Sequence, residues 1–152
     1  MEKIGLTKGM FAIIDDDDFA RVTAHRWNAS ESNRGYFYAR RLDGKTPVYM
    51  HRFIMRFPDG EIDHINRNKL DNRKENLRLA NRSQQLANTV KRKNSEQLYK
   101  GVRRRGNHFQ ARIMINGETT YIGTFKSEKE AAAAYNKTAI KHFGEFARVN
   151  VI

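Results

Sequence analysis

The clearest pattern of apolar and polar positions lies in the last third of the chain. Two runs with the alternation of β-strands, QARIMI and ETTYIGTF, flank Asn116-Gly117. This pair favours a tight hairpin, because both turn positions take positive φ. Pairing across the turn predicts one apolar face and one polar face. The first face carries Ala111, Ile113, Ile115, Thr120 and Ile122, and the second carries Gln110, Arg112, Met114, Thr119 and Tyr121.

A helix is predicted directly after this hairpin. Ser127 and Glu130 have the spacing of a capping box, apolar residues then recur at helical spacing, and Gly144 marks the end. The run YKGVRRR adds a strand before the hairpin. We therefore expect a three-stranded antiparallel sheet packed on one helix, with the basic face of the sheet left open to solvent.

Shorter elements are predicted in the first 60 residues. MFAII at 10–14 reads as a strand, and the acids at 15–18 read as a solvated turn before a short helix. The four acids lack the alternating spacing of a calcium loop. Residues 35–41 and 48–50 look like strands joined by a turn at Asp43-Gly44.

Residues 61–90 have a different organisation. A short strand ends at Asp63-His64, the polar loop INRNKLDNRKE follows, NLRLA has strand character, and SQQLANTV has helix character. We therefore predict an α+β protein with a first module at 1–90, a basic linker at 91–97 and a second module at 98–152.

Charge and composition narrow the partner class. The 152 residues carry a net charge of +12, and residues 99–152 alone hold 10 basic and 4 acidic side chains. A surplus of this kind indicates nucleic acid, an anionic membrane or simple solubility. The absence of cysteine excludes disulfides, thiolate zinc sites and cysteine nucleophiles, so any metal needs oxygen or imidazole ligands. Without an apolar span or a signal peptide, we expect a cytoplasmic protein that has no membrane partner and is not secreted.

The segment DHINRNKLDNRKENLRLANRSQQ holds the residue types that phosphodiester hydrolysis requires. That reaction needs a base to activate water, a cation to neutralise charge on the phosphate, and groups that hold both. At a strand end that enters a loop, Asp63 and His64 can reach one site. We expect His64 to act as the base and Asp63 to bind a hard cation.

Residues 1–95 resemble the intron- and phage-associated HNH homing endonucleases, and 61–88 resemble their ββα-metal motif. The matching residues are His51-Arg52, Asp63-His64-Ile65, Asn68, Leu70-Asp71-Asn72 and Glu75-Asn76-Leu77-Arg78. The resemblance implies that His64 is the general base, that Asp63 is a metal ligand, and that Asn76 fixes the loop and helps to orient His64.

The same resemblance implies one divalent cation, Mg²⁺ or alternatively Mn²⁺, and cleavage that leaves a 5′-phosphate and a 3′-hydroxyl. The family's second metal ligand, His or Asn, aligns with Gln85, whose carbonyl is also an oxygen donor. Asn88 lies three residues on, near the same helix face, and is the alternative. His51 sits between apolar residues and is interpreted as a structural histidine. The other loop residues, Asn66, Asn68, Asp71 and Asn72, are interpreted as turn formers.

Residues 98–150 resemble the APETALA-type DNA-binding domain of plant ethylene-response factors, which also occurs fused to HNH endonucleases. The resemblance rests on YKGVRRR, FQARI, YIGTF, the EAAAAYNKTA helix and GEFARVN. In that family the sheet lies in the major groove. Carried over by position, the implied DNA contacts are Lys100, Arg103, Arg105, Arg112, Tyr121 and Thr124.

These expectations combine into a metal-dependent endonuclease that locates its site on double-stranded DNA through the second module. The alternative is a catalytically inactive DNA-binding regulator that keeps the HNH fold. An RNA-binding role is less favoured, because the sheet lacks paired aromatic residues. No protein partner is implied, and the resemblance suggests a phage or a mobile element. The sequence leaves nicking and double-strand cutting open.

Overall fold

The computed structural model describes residues 1–33, 35–90 and 97–152. The chain forms two compact units, Met1–Ala80 and Asn81–Ile152. Across the described ranges, none of the helices has the length and apolar character needed to cross a membrane. The linker predicted at 91–97 lies outside the described residues except for Gln97.

The first unit is built from short elements. In chain order these are β1 (Glu2–Gly5), β2 (Phe11–Ile14), α1 (Phe19–Thr23), β3 (Asn28–Glu31), β4 (Phe37–Asp43), β5 (Thr46–Tyr49), α2 (Met50–Ile54), β6 (Glu61–His64) and β7 (Leu77–Ala80). They form three antiparallel sheets, ordered β1-β2, β3-β4-β5 and β6-β7. The predicted strand at 10–14, the short helix after the acidic run and the hairpin around Asp43-Gly44 are confirmed. The strand predicted at 48–50 starts two residues earlier, at Thr46, and ends at Tyr49, because Met50 begins α2.

One apolar core unites these sheets and helices. The side chains of Ile14 in β2, Val22 in α1 and Met50 in α2 are fully buried. Trp27 is 4% exposed. The indole Nε1 of Trp27 donates to the carbonyl of Val22 at 2.9 Å, which satisfies its one polar atom. The only tryptophan of the chain therefore reports on the core of the first unit.

The second unit has an α+β arrangement of its own. It contains α3 (Arg82–Ala87), β8 (Val102–Arg105), β9 (His108–Ile115), β10 (Glu118–Phe125) and α4 (Glu128–Phe143). The three strands form one antiparallel sheet with β9 in the middle. The hairpin turn is confirmed, because Asn116 and Gly117 have φ of 52° and 88°. The predicted capping box of Ser127 and Glu130 is also present at the start of α4.

The helix α4 covers the predicted apolar face of this sheet. Ala111 and Ile113 of β9 are buried, and they lie in apolar clusters with Ala131 and Tyr135 of α4. A β-bulge after Tyr121 shifts the register, so that Arg112 faces Tyr121 while Ala111 faces Gly123. The opposite face of the sheet is exposed at Arg112 and Tyr121.

The helix α3 belongs to the second compact unit, although the sequence places it at the end of the first module. Ala87 is 6% exposed and packs in one apolar cluster with Ile113, Tyr135 and Phe143. The backbone N–H of Asn116 donates to Ser83 Oγ at 3.0 Å. These contacts tie α3 to the second sheet. The first compact unit ends at Ala80, whereas the first predicted module ends at residue 90.

Candidate active site

The hairpin of β6 and β7 carries a group of buried polar side chains. Asp63 faces Arg78 and His64 faces Leu77 in the register of the two strands. Five polar side chains of the hairpin and its loop are no more than 4% exposed: Asp63, His64, Asp71, Asn72 and Asn76. Burying a polar group destabilises the fold unless the group is hydrogen-bonded. Five such groups in one hairpin therefore indicate a candidate functional site.

Asn76 ties the loop together at the start of β7. Its Oδ1 accepts from the backbone N–H of Asn66 at 2.9 Å, and its Nδ2 donates to the carbonyl of Asp71 at 2.7 Å. Its own carbonyl accepts from the N–H of Ile65 at 2.9 Å. Asn76 therefore fixes both arms of the loop that follows His64. Turn chemistry at Asn66 and Asn68 completes the loop, as each side-chain oxygen accepts from a backbone N–H two residues on.

Asn72 is the polar partner of the His64 ring. Its Oδ1 lies 3.3 Å from His64 Nε2, while its Nδ2 donates to the carbonyl of Leu70 at 3.2 Å. Because an amide oxygen only accepts, Nε2–H of the neutral ring is the donor, and the ring lone pair lies on Nδ1. The interpretation of Asn72 as a turn former was therefore incomplete.

The strand β2 positions Asn72 from outside the hairpin. The backbone N–H of Ile13 donates to the carbonyl of Leu70 at 2.8 Å, and the N–H of Asn72 donates to the carbonyl of Ile13 at 2.7 Å. These two bonds hold the segment around Asp71 as a short parallel bridge to β2. The apolar strand predicted at 10–14 thus supports the contact between Asn72 and His64.

Two aromatic side chains contact the His64 ring, and Tyr49 packs against one of them. His51 of α2 lies edge-on to the His64 ring, with centroids 5.2 Å apart. Tyr38 of β4 lies 6.4 Å from the same ring, and Tyr49 stacks on His51 at 5.7 Å. The sequence interpretation of His51 as structural did not foresee its contact with His64. The only sequence signal for this contact was that His51-Arg52 belongs to the matched motif. No sequence signal placed Tyr38 or Tyr49 near His64.

Burial keeps both imidazoles neutral at physiological pH. It lowers the pKa of His64 to about 4, with Lys69 acting in the same direction and Asn72 and Asp71 opposing it. Burial also lowers the pKa of His51 to about 3, and His64 contributes to that shift. A neutral His64 has the lone pair that a general base requires.

Asp63 is the carboxylate next to His64, and two cations neutralise it. Arg78 Nη2 lies 3.1 Å from its Oδ2, and Lys69 Nζ lies 4.0 Å from its Oδ1. Burial lowers the pKa of Lys69, while Asp63 opposes that shift. An oxygen donor of this type fits Mg²⁺ or Mn²⁺, since Mg²⁺ keeps several waters and commonly uses one or two carboxylates together with substrate phosphate.

The other buried carboxylate of the loop, Asp71, has a structural environment. Arg73 donates to it through Nε and Nη2, both at 2.8 Å, and Asn66 Nδ2 donates at 2.8 Å. The hydrogen bonds from Arg73 lower the pKa of Asp71. Two of the acids at 15–18 also form ion pairs with a basic side chain. Lys74 Nζ lies 2.6 Å from Asp17 and 2.9 Å from Asp18.

The predicted site residues divide between the two units. Asp63, His64 and Asn76 all lie in the β6-β7 hairpin of the first unit, and their predicted roles stay predictions. Gln85 lies on α3 of the second unit, and Asn88 directly follows that helix. A second metal ligand at Gln85 or Asn88 stays a prediction.

Five of the six predicted DNA-contact residues share one face of the second sheet. The register places Arg103 beside Gln110, and Gln110 beside Thr124. Since side chains alternate along a strand, this face holds Arg103, Arg105, Arg112, Tyr121 and Thr124, all of which are exposed.

Lys100 is the exception, because its ammonium group is hydrogen-bonded within the second unit, and its DNA contact stays a prediction. Its Nζ donates to the carbonyls of Ala87 at 2.6 Å and Leu86 at 3.3 Å. It therefore helps to cap the C-terminal end of α3, together with the backbone N–H of Arg148, which donates to the Ala87 carbonyl at 3.2 Å. Burial, with a smaller effect of Arg148, lowers the pKa of Lys100 to about 8. Sequence reasoning could not separate this lysine from the neighbouring arginines.

Comparison with known proteins agrees with the position of this hairpin. Residues 48–87 match a family model described as HNH endonuclease. The chain is also 37% identical, over 157 aligned positions, to an uncharacterized HNH endonuclease of Acanthamoeba polyphaga mimivirus. That alignment covers 98% of this chain and 79% of the viral protein. The protein therefore belongs to the HNH endonuclease family.

Proposed function

We propose that this protein is a divalent-cation-dependent endonuclease that hydrolyses phosphodiester bonds in double-stranded DNA, with His64 as the general base. The observation that carries the proposal is the environment of His64, a buried neutral imidazole held by Asn72 at the end of β6. An HNH endonuclease acts on DNA, and HNH nucleases generally use a divalent metal ion.

Asp63 is the residue of the first unit that would hold the cation. Once bound, a divalent cation such as Mg²⁺ neutralises charge on the scissile phosphate and on the leaving oxygen. Two basic side chains, Arg78 and Lys69, pair with the Asp63 carboxylate in this structure. Gln85, or alternatively Asn88, is the proposed second oxygen donor.

His64 would take the proton from the attacking water at Nδ1. The donation from Nε2–H to Asn72 selects this tautomer, and imidazolium formed in the reaction keeps the same donor. Asn76 acts as a positioning residue, since it fixes the part of the loop that leads to Asn72 through the backbone of Asn66 and Asp71.

The second unit would supply affinity for DNA. Its exposed sheet face carries three arginines together with Tyr121 and Thr124, a surface suited to phosphate and base contacts. Similarity to the viral HNH endonuclease extends over nearly the whole chain, so it includes this unit as well as the hairpin. We propose that the sheet is an APETALA-type DNA-binding surface and that Arg103, Arg105, Arg112, Tyr121 and Thr124 contact DNA.

A second candidate function is DNA binding without cleavage. The observation that favours it is the ion pair between Arg78 and Asp63, because a cation must replace the guanidinium before the carboxylate can bind metal. Arg78→Ala separates the two candidates. If the protein is a nuclease, the variant should retain metal-dependent DNA cleavage. If it is a regulator, both the wild type and the variant should bind DNA without cleaving it.

The proposed activity is tested with supercoiled plasmid. Wild-type protein in Mg²⁺ or Mn²⁺ should yield nicked or linear DNA, and excess chelator should abolish the product. Absence of product in both metals, with DNA binding intact in a gel-shift assay, would exclude the enzyme and leave the regulator.

A further inference from the structure

An open cleft lies beside the active-site loop. It is lined by aromatic side chains to which the proposed cleavage reaction assigns no role. Its volume is about 390 Å³, near the lower end of the roughly 300–1,000 Å³ typical of small-ligand pockets. The aromatic side chains that line it are Phe11, Tyr36 and Phe37. Phe11 is 56% exposed and Tyr36 is 44% exposed, so both rings are accessible.

Cations accompany these rings. Arg67 and Lys69 line the cleft, and Lys8 Nζ lies over the ring of the lining residue Phe37, 5.1 Å from its centroid. The lining residues, all within the described part of the chain, include no acid. Exposed aromatic faces next to basic side chains are the combination that binds unstacked nucleobases and their phosphates.

The cleft is joined to the candidate active site by the loop itself. The backbone N–H of Arg67 donates to the carbonyl of His64 at 2.9 Å, and Arg67 takes a left-handed conformation with φ of 69°. Lys69 both lines the cleft and approaches Asp63 Oδ1 at 4.0 Å. A nucleotide in the cleft would therefore neighbour a phosphate at Asp63 and His64.

We propose that this cleft binds one nucleobase displaced from the DNA duplex, stacked on Phe11 and Tyr36, with its phosphate bound by Arg67 and Lys69. The inference rests on the proposed function, since it names a subsite for the same substrate. The cleft is too small for a duplex, and a displaced base has the flat apolar faces that the rings match. Capture of one base would bend or open the duplex beside the scissile phosphate.

The test compares two duplexes that differ by one base. Each carries a single unpaired nucleotide, thymidine in one and an abasic analogue in the other, so the phosphate charge is equal. Full-length protein is titrated with each duplex in chelator, which prevents cleavage. Wild-type protein should bind the thymidine duplex at least about fivefold more tightly, as expected for one stacked base.

Matched variants locate that preference. Tyr36→Ala and Phe11→Ala should bring the two affinities together, while Tyr36→Phe should retain the preference because the ring remains. Phe57→Ala removes another exposed aromatic ring of the first unit, 52% exposed and outside the cleft lining, and should also retain the preference. Arg67→Gln should weaken binding of both duplexes equally.

Equal affinity of the wild-type protein for the two duplexes would overturn the proposal. So would a preference that survives unchanged in both alanine variants, whereas its reduction in either variant supports the cleft. These affinity measurements are made in chelator, so their result does not depend on whether the protein cleaves DNA. A protein that shows the preference but never cuts plasmid would refute the nuclease alone, and one that cuts without the preference would refute the cleft alone.

Discussion

His51 and His64 lie edge to face, with ring centroids 5.2 Å apart and planes at 76°. They come from α2 and β6, and Tyr38 contacts both rings. Burial lowers the pKa of both imidazoles, and His64 lowers the pKa of His51 further. The pair therefore depends on both rings being neutral.

The pH dependence of stability follows from this pair. Both folded pKa values lie below the ordinary value of 6.5, at about 3 for His51 and about 4 for His64. Below pH 6.5 the unfolded chain therefore binds more protons than the folded protein. The free energy of unfolding decreases as the pH is lowered from about 6.5 towards 4. At pH 5 the loss should be on the order of 1–2 kcal/mol for each imidazole.

Urea unfolding of metal-free protein, followed by Trp27 fluorescence, measures this loss. Trp27 lies in the core of the first unit, so the signal reports on the unit that holds both histidines. His51→Phe keeps an aromatic ring and removes one titrating group, so it should show a shallower pH dependence. The same unfolding midpoint at pH 7 and pH 5 in the wild type would contradict the prediction.

Asn76 should contribute far more to stability than a neighbouring asparagine. Asn76→Ala removes two side-chain hydrogen bonds and leaves the Asn66 N–H and the Asp71 carbonyl without them. We expect a loss of about 2–4 kcal/mol in the first unit, again by Trp27 fluorescence. Asn68→Ala is the control, since it removes an exposed bond to the Leu70 N–H and should cost less than about 1 kcal/mol. Equal losses would show that Asn76 does not hold the loop.

Gly101 should be essential for folding of the second unit. A Cβ there would lie 2.2 Å from the Tyr135 ring and 2.6 Å from the carbonyl of Arg112, and φ is +75°. Gly101→Ala should destabilise the unit by at least about 3 kcal/mol in thermal unfolding followed by circular dichroism. Gly106 has a similar φ of +57° with open space around it, so Gly106→Ala should cost about 1 kcal/mol. A folded, equally stable Gly101→Ala would refute the tight packing of Tyr135.

The exposed face of the second sheet should govern the salt dependence of DNA binding. Arg103→Ala and Arg112→Ala should each lower affinity and reduce the slope of log affinity against log salt by about 1 for each phosphate contact removed. Lys137→Ala removes an exposed cation from α4, which covers the other face of the sheet, and should leave the slope unchanged. Unchanged slopes in both arginine variants would exclude this face as the DNA-binding surface.

Local signals made parts of the fold predictable. Asn116-Gly117 defines its hairpin because few residues tolerate two positive φ values in succession, and Ser127 with Glu130 defines the start of α4. The strands around the His64 loop followed from short apolar runs that flank a polar segment. Each of these signals acts within a few residues of chain.

Contacts between distant segments were not predictable in the same way. Tyr38 and Tyr49 reach the His64 cluster only because the β3-β4-β5 sheet folds over it. Lys100 and Arg103 look alike in the sequence, yet only Lys100 lies within reach of the α3 carbonyls. The sequence also gives no indication that α3 packs on the second sheet, since its short apolar surface fits many partners.

The most direct test of the account is plasmid cleavage by His64→Ala at a protein concentration that saturates the DNA. We expect wild-type protein to cut in Mg²⁺ and His64→Ala to lose at least about 100-fold in rate with DNA affinity unchanged, as for removal of a general base. His142→Ala, at an exposed histidine of α4, should cut like the wild type. Cleavage by His64→Ala at the wild-type rate would show that His64 is not the base and would contradict the proposed mechanism.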